Sequence, residues 1–142
     1  MKLVPDTQIA NDLEAAAELL ETEKIQWCQG SLSTLEFDAD DKPQLTSVCA
    51  VGALGVVIAG LDYMVSTFIR GVQEHLYRIG PERDRLNAAR DAVSDYLVVH
   101  HQVSYLLPGD CVTENWNDAL GRTREDVVDL LKNTAKDLRN RV

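Results

Sequence analysis

Apolar residues recur at intervals of three and four near the start of the chain, which is the spacing of one buried face of an α-helix. The pattern predicts a first helix from Asp6 or Thr7 to Glu23, with Pro5 just ahead of it. Either Asp6 or Thr7 can cap its first free amides. The buried stripe consists of Ile9, Leu13, Ala16, Ala17 and Leu20.

The same spacing returns at the end of the chain and predicts a last helix there. Thr123 caps this helix, and Asp126 stands three residues later, as in a capping box. Lysine and arginine side chains collect toward its C-terminal end, where the helix dipole favours cations. Its buried stripe consists of Val127, Leu131, Ala135 and Leu138.

The most apolar stretch runs from Val48 to Leu61. It predicts a core helix from Val48 to about Ala59, opened by Ser47 or Thr46. Crossing a bilayer takes roughly 20 apolar residues, so this stretch is too short for a membrane span and no membrane association is expected.

Two glycines, Gly52 and Gly55, fall inside this predicted helix. Each weakens it by roughly 1 kcal/mol relative to alanine. What a residue without a side chain permits is the close approach of a neighbouring helix or a ligand, and packing is the favoured explanation of both glycines.

Two further helices are predicted in the second half of the chain. The first runs from about Tyr63 to Arg78 and the second from Pro81 to about Gln102, because a Gly-Pro pair ends one helix and starts the next. Turn-forming residues from Ser104 to Gly121 then predict a long loop. The buried stripes are Val65, Phe68, Ile69, Val72 and Leu76 in the first helix, and Leu86, Ala89, Val93, Leu97 and His100 in the second.

Apolar and polar residues alternate on both sides of a polar turn between Leu35 and Thr46. A short β-hairpin and an acidic loop both fit this alternation. Trp27, which precedes it, is expected to fill the end of the core. Residues 1–142 are therefore predicted to form a single, mainly α-helical domain, a bundle of about five helices with a short β-hairpin or acidic loop after the first helix.

The net charge of −9 is concentrated at the start of the chain, where residues 1–41 hold ten acids against two bases. An acidic surface repels phosphate backbones, so direct binding of nucleic acid is disfavoured. Such a surface suits a basic partner protein, and solubility alone is the other interpretation. The acids expected to face water are Glu14, Glu18 and Glu21 on the first helix and those of the Glu36–Asp41 segment.

Three cysteines, Cys28, Cys49 and Cys111, cannot all pair within one chain. Their irregular spacing favours reduced thiols and a cytoplasmic location. The start of the chain also lacks the apolar run of a secretion signal. No two cysteines stand two to four residues apart, and the adjacent His100 and His101 point to different faces of their helix. A zinc site is therefore disfavoured, and no metal or cofactor is predicted.

No phosphate-binding glycine loop and no protease, hydrolase or thiol–disulfide motif occurs in the sequence. Cys49 lies near the predicted start of a helix, which would favour a reactive thiolate. Its apolar neighbours Val48, Ala50 and Val51 make a buried structural thiol the stronger interpretation. No catalytic residue is predicted, and an enzymatic role is the less favoured one.

Three short motifs stand in order along the chain, namely Trp27-Cys28-Gln29-Gly30, Cys49-Ala50-Val51-Gly52-Ala53-Leu54 and Trp116-Asn117-Asp118. Together with the segment from Gly121 to Val128, they resemble the pattern of a family of small, functionally uncharacterised proteins from actinobacteria and the phages that infect them. The resemblance spans the chain from the first helix to the last, with no motif between Leu61 and Pro108. It implies a source and no activity.

The motif residues also define a candidate pocket. A different interpretation, and the favoured one, is that Trp116 packs its loop onto the core while Asn117 and Asp118 bond to backbone amides in the turn before the last helix. The candidate pocket consists of Trp27, Cys28, Cys49, Trp116, Asn117 and Asp118.

Two classes of function follow. The first is a small non-enzymatic interaction protein, for example a phage accessory factor that binds a basic host protein through residues 1–41 in the host cytoplasm. Small size, the acidic N-terminal third and the lack of a catalytic constellation favour it. The alternative is a small enzyme or ligand-binding domain with its pocket near Cys28, Cys49 and Asn117-Asp118.

Overall fold

Six α-helices and a three-stranded sheet form the part of the chain that the computed structural model describes, residues 4–71, 82–101 and 112–141. The mainly α-helical class is confirmed, while the sheet makes the fold more than a helical bundle. The helices are α1 Asp6–Glu21, α2 Ala50–Ala59, α3 Leu61–Ile69, α4 Arg83–His101, α5 Val112–Asn117 and α6 Arg124–Arg139. The strands are β1 Gln26–Trp27, β2 Ser33–Phe37 and β3 Pro43–Val48.

α1 packs against α2, α4 and α6 and supplies much of the core. The whole predicted stripe from Ile9 to Leu20 is buried, which confirms the helical spacing. The helix ends at Glu21 instead of Glu23, because Glu23 takes a φ of +58°, in the left-handed region where a right-handed helix cannot continue. Asp12 is buried as well, and its carboxylate pairs with Arg85 of α4 over 2.7 Å.

α6 begins and packs as predicted. The Asp126 amide donates to Thr123 Oγ1 over 3.2 Å, and the Thr123 amide donates to Asp126 Oδ2 over 3.0 Å, which completes the capping box. The predicted stripe from Val127 to Leu138 is buried against α1 and α4.

α2 is buried along most of its length, as predicted for a core helix. It begins at Ala50 rather than Val48, because Val48 is the last residue of β3. Its cap is therefore Cys49 and not Ser47 or Thr46. No single helix of the described residues is long and apolar enough to cross a bilayer. α2 and α3 have the required length and apolar character only when taken together, and this pair of helices is bent by 117°.

A β-hairpin, one of the two structures predicted after α1, is present. β2 and β3 are antiparallel, with Leu35 opposite Leu45 and Phe37 opposite Pro43. β1 lies parallel to β3 on its other side, so that the strand order is β1-β3-β2. Alternation could not predict β1, because a strand of two residues shows no period. Trp27, in β1, is half-buried against the core.

α3 packs through a different face from the predicted one. It begins at Leu61, directly after Gly60, whose φ of +100° separates it from α2. Its buried residues are Met64 and Thr67, because the Met64 side chain packs onto the bare backbone of α2 at Gly55. The stripe predicted within α3 is therefore wrong, since its members are half-buried or exposed: Val65, Phe68 and Ile69.

The predicted stripe of α4 is buried from Leu86 to Leu97, but its last member, His100, is exposed. His100 stacks on the ring of Tyr96, one turn earlier on the same helix, with the ring centroids 4.2 Å apart. His101 is exposed, as predicted.

Part of the predicted loop from Ser104 to Gly121 is helical, because α5 begins at Val112. Thr113 in α5 is fully buried and its hydroxyl lies 2.8 Å from that of Ser94 in α4, which fixes the two helices together. Several predicted features lie outside the described residues, namely Val72, Leu76, Arg78, Pro81, Gln102, residues 104–111 and, within them, Cys111.

Candidate functional site

Four of the six predicted pocket residues meet at the side chain of Asn117, which is fully buried. Its Oδ1 accepts hydrogen bonds from the Trp27 indole Nε1 over 2.8 Å and from the Ala50 amide over 3.0 Å. Its Nδ2 donates to the Cys28 carbonyl over 3.1 Å and to Asp118 Oδ1 over 2.9 Å. A side-chain amide offers two donor and two acceptor positions, so all four are in use. We call this arrangement the Asn117 hub.

Asp118 and Gln29 add further bonds between the same two segments. Asp118 Oδ1 accepts from the Gly30 amide over 2.9 Å. Gln29 Nε2 donates to the carbonyls of Asn117 and Ala119, each over 2.9 Å. Gly30 takes a φ of +85°, which a residue with a side chain adopts only under strain. The end of α5 is thus tied to the turn after β1, which is 88 to 90 residues away in the sequence.

The backbone amides that Asn117 and Asp118 engage are those of Ala50 and Gly30, and not those of the turn before α6, where the sequence placed them. Sequence reasoning connects a polar side chain most readily to amides nearby in the chain. Asn117 instead accepts from the Ala50 amide at the start of α2, and Asp118 instead accepts from the Gly30 amide in the turn after β1.

Cys49 caps α2. The first amides of a helix have no partner inside it. The Gly52 amide donates to Cys49 Sγ over 3.3 Å, and the Ala50 amide is taken by the Asn117 hub. Burial raises the pKa of the Cys49 thiol to about 12, and the hydrogen bond from Gly52 opposes this only in part. The thiol is therefore protonated at neutral pH and does not act as a nucleophile.

The raised pKa of Cys49 predicts a loss of stability at alkaline pH. The thiol ionises at about 9 when unfolded but only at about 12 when folded, so the unfolded state binds fewer protons in between. The contribution of the Cys49 thiol to the free energy of unfolding is fully present below the pKa of the unfolded state. From about pH 8 to about pH 10 this contribution should fall by about 1.4 kcal/mol. The measurement is urea unfolding across this range for the wild type and Cys49→Ser, which keeps a capping atom. Parallel pH profiles for the two proteins would contradict the assignment.

Trp116 lies in the hydrophobic core next to the Asn117 hub. The Arg122 guanidinium carbon is 3.6 Å from its ring centroid, and Arg122 Nε donates to the Trp116 carbonyl over 2.9 Å. The ring of His101 meets it edge-on, with the centroids 5.9 Å apart. A cation at this distance from an indole stabilises by about 0.5–2 kcal/mol. Trp116 therefore fastens α5 to the segment that enters α6.

Two open clefts of the described surface lie away from the Asn117 hub. One of about 430 Å³ lies between α1, α4 and the end of α6, and another of about 720 Å³ lies between the hairpin and α3. None of the six predicted pocket residues lines either of these clefts. Within the described ranges, no three His, Cys, Asp or Glu side chains converge in a way that could hold a metal ion. Chemically, the Asn117 hub joins three chain segments and leaves no position of its amide open to a ligand.

Sequence reasoning missed Gln29, Gly30 and the Ala50 amide as members of this arrangement. A signal for the first two was available, because they stand in the same short motif as Trp27 and Cys28. The Ala50 amide carried no signal, since a backbone group at a helix start is visible only once the start is known.

Comparison with known proteins gives a family and no activity. A family model described as a family of unknown function (DUF6197) matches residues 4–137, and the chain belongs to this family. No curated protein and no solved structure matches the chain.

Proposed function

We propose that this member of a family of unknown function is a small non-enzymatic interaction protein that binds a basic partner protein through the tip of its β-hairpin. The hairpin tip is the segment from Glu36 to Asp41. One observation carries the proposal: the acids of the tip make no ion pair among the described residues, and the tip also holds an exposed aromatic side chain, Phe37.

The acids of α1 are less available than those of the hairpin tip, because cations of α6 neutralise several of them. Glu21 pairs with Lys132 over 2.6 Å, Glu14 pairs with Arg139, and Glu23, just beyond the helix, pairs with Arg124. The buried Asp12 pairs with Arg85. Much of the negative charge of residues 1–41 is therefore balanced within the fold, and the tip carries the largest unbalanced part.

The hairpin tip has the composition of a contact site. Glu36, Asp40 and Asp41 are exposed, and the side chain of Phe37 is 61% exposed. Aromatic anchors inside a polar rim are typical of the residues that dominate protein interfaces. Asp38 stabilises the turn of the hairpin, because its Oδ1 accepts hydrogen bonds from the amides of Asp40 and Lys42 over 2.8 and 3.0 Å.

The alternative, a small enzyme or ligand-binding domain near Cys28, Cys49 and Asn117-Asp118, is less well supported. The polar groups of Asn117 are all engaged with neighbouring segments, and the Cys49 thiol is buried and protonated. A non-enzymatic role needs none of these groups to be free.

The resemblance to small proteins of actinobacteria and their phages suggests where the partner is found. We expect a basic host protein of an actinobacterium, met in the cytoplasm by a phage accessory factor. An actinobacterial lysate is therefore the appropriate source for affinity capture.

Charge reversal at the hairpin tip, Glu36→Lys with Asp40→Lys, is expected to slow association with the captured partner by about 5- to 10-fold at low salt. The change avoids Asp38, which folds the turn, and Asp41, which has a φ of +59°. The measurement is an association rate at two salt concentrations. Folding should be unchanged, because both positions are exposed.

A matched control reverses two exposed acids away from the tip, Glu18→Lys on α1 with Asp129→Lys on α6. It changes the net charge by the same amount. Equal slowing by both double variants would assign the effect to net charge alone, and unchanged binding after tip reversal would exclude the tip as the contact.

A further inference from the structure

A groove with both apolar walls and cations lies between the β-hairpin and α3, and we call it the hairpin groove. Its volume is about 720 Å³. Leu45 and Ile25 line it and are buried, while Leu61 and Ile69 of α3, which also line it, are 46% and 56% exposed. Large exposed apolar side chains gathered at one place mark contact surfaces.

Three cations, Lys24, Lys42 and Arg70, also line the hairpin groove, together with one acid, Asp62. The chain is strongly acidic, and most of its described lysine and arginine side chains are in ion pairs. Over residues 4–71, 82–101 and 112–141, five lysine and arginine side chains make no ion pair, and three of these five line the hairpin groove. The other two are Arg122 and Lys136. The groove is thus suited to an occupant that is both apolar and acidic.

The hairpin tip of the same chain has this chemistry, and it lies beside the groove. Phe37 is opposite Pro43, and Leu35 is opposite Leu45. Opposed residues of antiparallel strands point to the same face of a sheet. Pro43 and Leu45 line the groove, as do Lys42 and Gln44, so Phe37 stands directly across the hairpin from a residue of the groove.

We propose that the hairpin groove receives the hairpin tip of a second copy of this chain, so that two copies form a symmetric dimer through two reciprocal contacts. A two-fold dimer needs a surface patch that is complementary to itself. Acids and an exposed phenylalanine on one side of the patch, and cations and apolar walls on the other, meet this requirement. The inference rests on the hairpin tip being the docking element proposed above, and the dimer and the partner complex then compete for the same tip.

Each copy has a net charge of −9, which opposes association at long range. This repulsion is screened beyond a Debye length of about 8 Å at physiological ionic strength, whereas direct contacts at the interface are screened less. Phe37 placed against Leu61 and Ile69 adds apolar burial, which does not weaken with salt. The dimer is therefore expected to persist in moderate salt.

A charge-swap experiment tests the dimer with this chain alone. The tip-reversed variant is Glu36→Lys/Asp40→Lys, and the groove-reversed variant is Lys24→Glu/Arg70→Glu. Each alone places like charges at both contacts and should raise the dimer dissociation constant at least about 10-fold. An equimolar mixture restores opposite charges at both contacts and should form a heterodimer of near wild-type affinity. Sedimentation equilibrium over a concentration series measures all three.

Three results would overturn the inference: a wild type that stays monomeric up to millimolar concentration, a wild-type dimer that neither reversal weakens, or variants whose mixture does not associate. The double variant Glu18→Lys/Asp129→Lys should dimerise as the wild type does and controls for the net-charge change of the tip-reversed variant, while the mixture, in which the two charge changes cancel, controls for that of the groove-reversed variant. Failure here is separable from failure of the proposed function. If the protein is monomeric but tip reversal still weakens binding of the captured partner, the proposed function stands and the dimer is excluded. If the protein is a dimer but tip reversal leaves partner binding unchanged, the dimer stands and the proposed function is excluded.

Discussion

Replacing Asn117 by alanine is expected to lower the free energy of unfolding by about 3–5 kcal/mol, as several buried polar groups lose their partner at once. The Ala50 amide and the Trp27 indole N–H lose their acceptor, and the Cys28 carbonyl loses a donor. Each such group left unsatisfied inside the protein costs about 1–3 kcal/mol. Urea unfolding followed by circular dichroism measures the loss.

Two further variants show whether the Asn117 hub acts as a unit. Gln29→Ala removes bonds at an exposed position and should cost less than about 1 kcal/mol. Trp27→Phe should destabilise the wild type more than it destabilises Asn117→Ala, because the indole bond is already absent there. Additive losses, or a loss under about 1 kcal/mol for Asn117→Ala, would mean that other contacts join these segments.

The helical stripes of α1 and α6 could be predicted from the sequence because each lies against several neighbours and its spacing alone selects the buried face. α3 could not, because it is short and its buried face depends on how it packs against α2 and the sheet. The contact of Met64 with the bare backbone at Gly55 joins two helices whose relative position the sequence does not reveal. His100 fits the apolar stripe of α4 by spacing, yet it stacks outside on Tyr96.

Several members of the candidate site could be predicted from the sequence, but their geometry could not. Residue types and order were enough to group Trp27, Cys28, Asn117 and Asp118. Their geometry was not predictable, because the partners lie up to 90 residues apart and include backbone groups. The cap of α2 was missed because cysteine is a rare capping residue, and Ser47 or Thr46 has the usual capping chemistry.

The ion pairs between α1 and α6 could not be predicted from the sequence either. Counting acids correctly located the negative charge in residues 1–41, but it could not show that α6 neutralises part of it. Reversing Glu14 or Glu21 would place like charges beside Arg139 or Lys132 and disturb the fold as well as any partner. The exposed part of the hairpin tip is free of this complication.

Gly52 lies where the backbone of α2 meets the turn that leads into the hairpin. A Cβ at this position would stand 1.9 Å from the Leu32 carbonyl oxygen, far inside van der Waals contact. That oxygen cannot simply withdraw, because it accepts the Cys49 amide hydrogen bond over 3.0 Å. Gly55, one turn later, offers a contrast, since a Cβ there would meet the Met64 Sδ at 2.7 Å, the far end of a flexible side chain.

Gly52→Ala is therefore expected to lower the free energy of unfolding by at least about 3 kcal/mol, although alanine favours a helix by roughly 1 kcal/mol over glycine. The clash is with backbone, and relieving it means moving the hairpin away from α2 or breaking the bond to Cys49. Gly55→Ala makes the same chemical change in the same helix, but the methionine can change rotamer, so its net effect should stay within about 1 kcal/mol of zero. Denaturant unfolding of both variants under identical conditions decides the matter. Similar losses for the two, or a stabilised Gly52→Ala, would show that α2 does not approach Leu32 as closely as described.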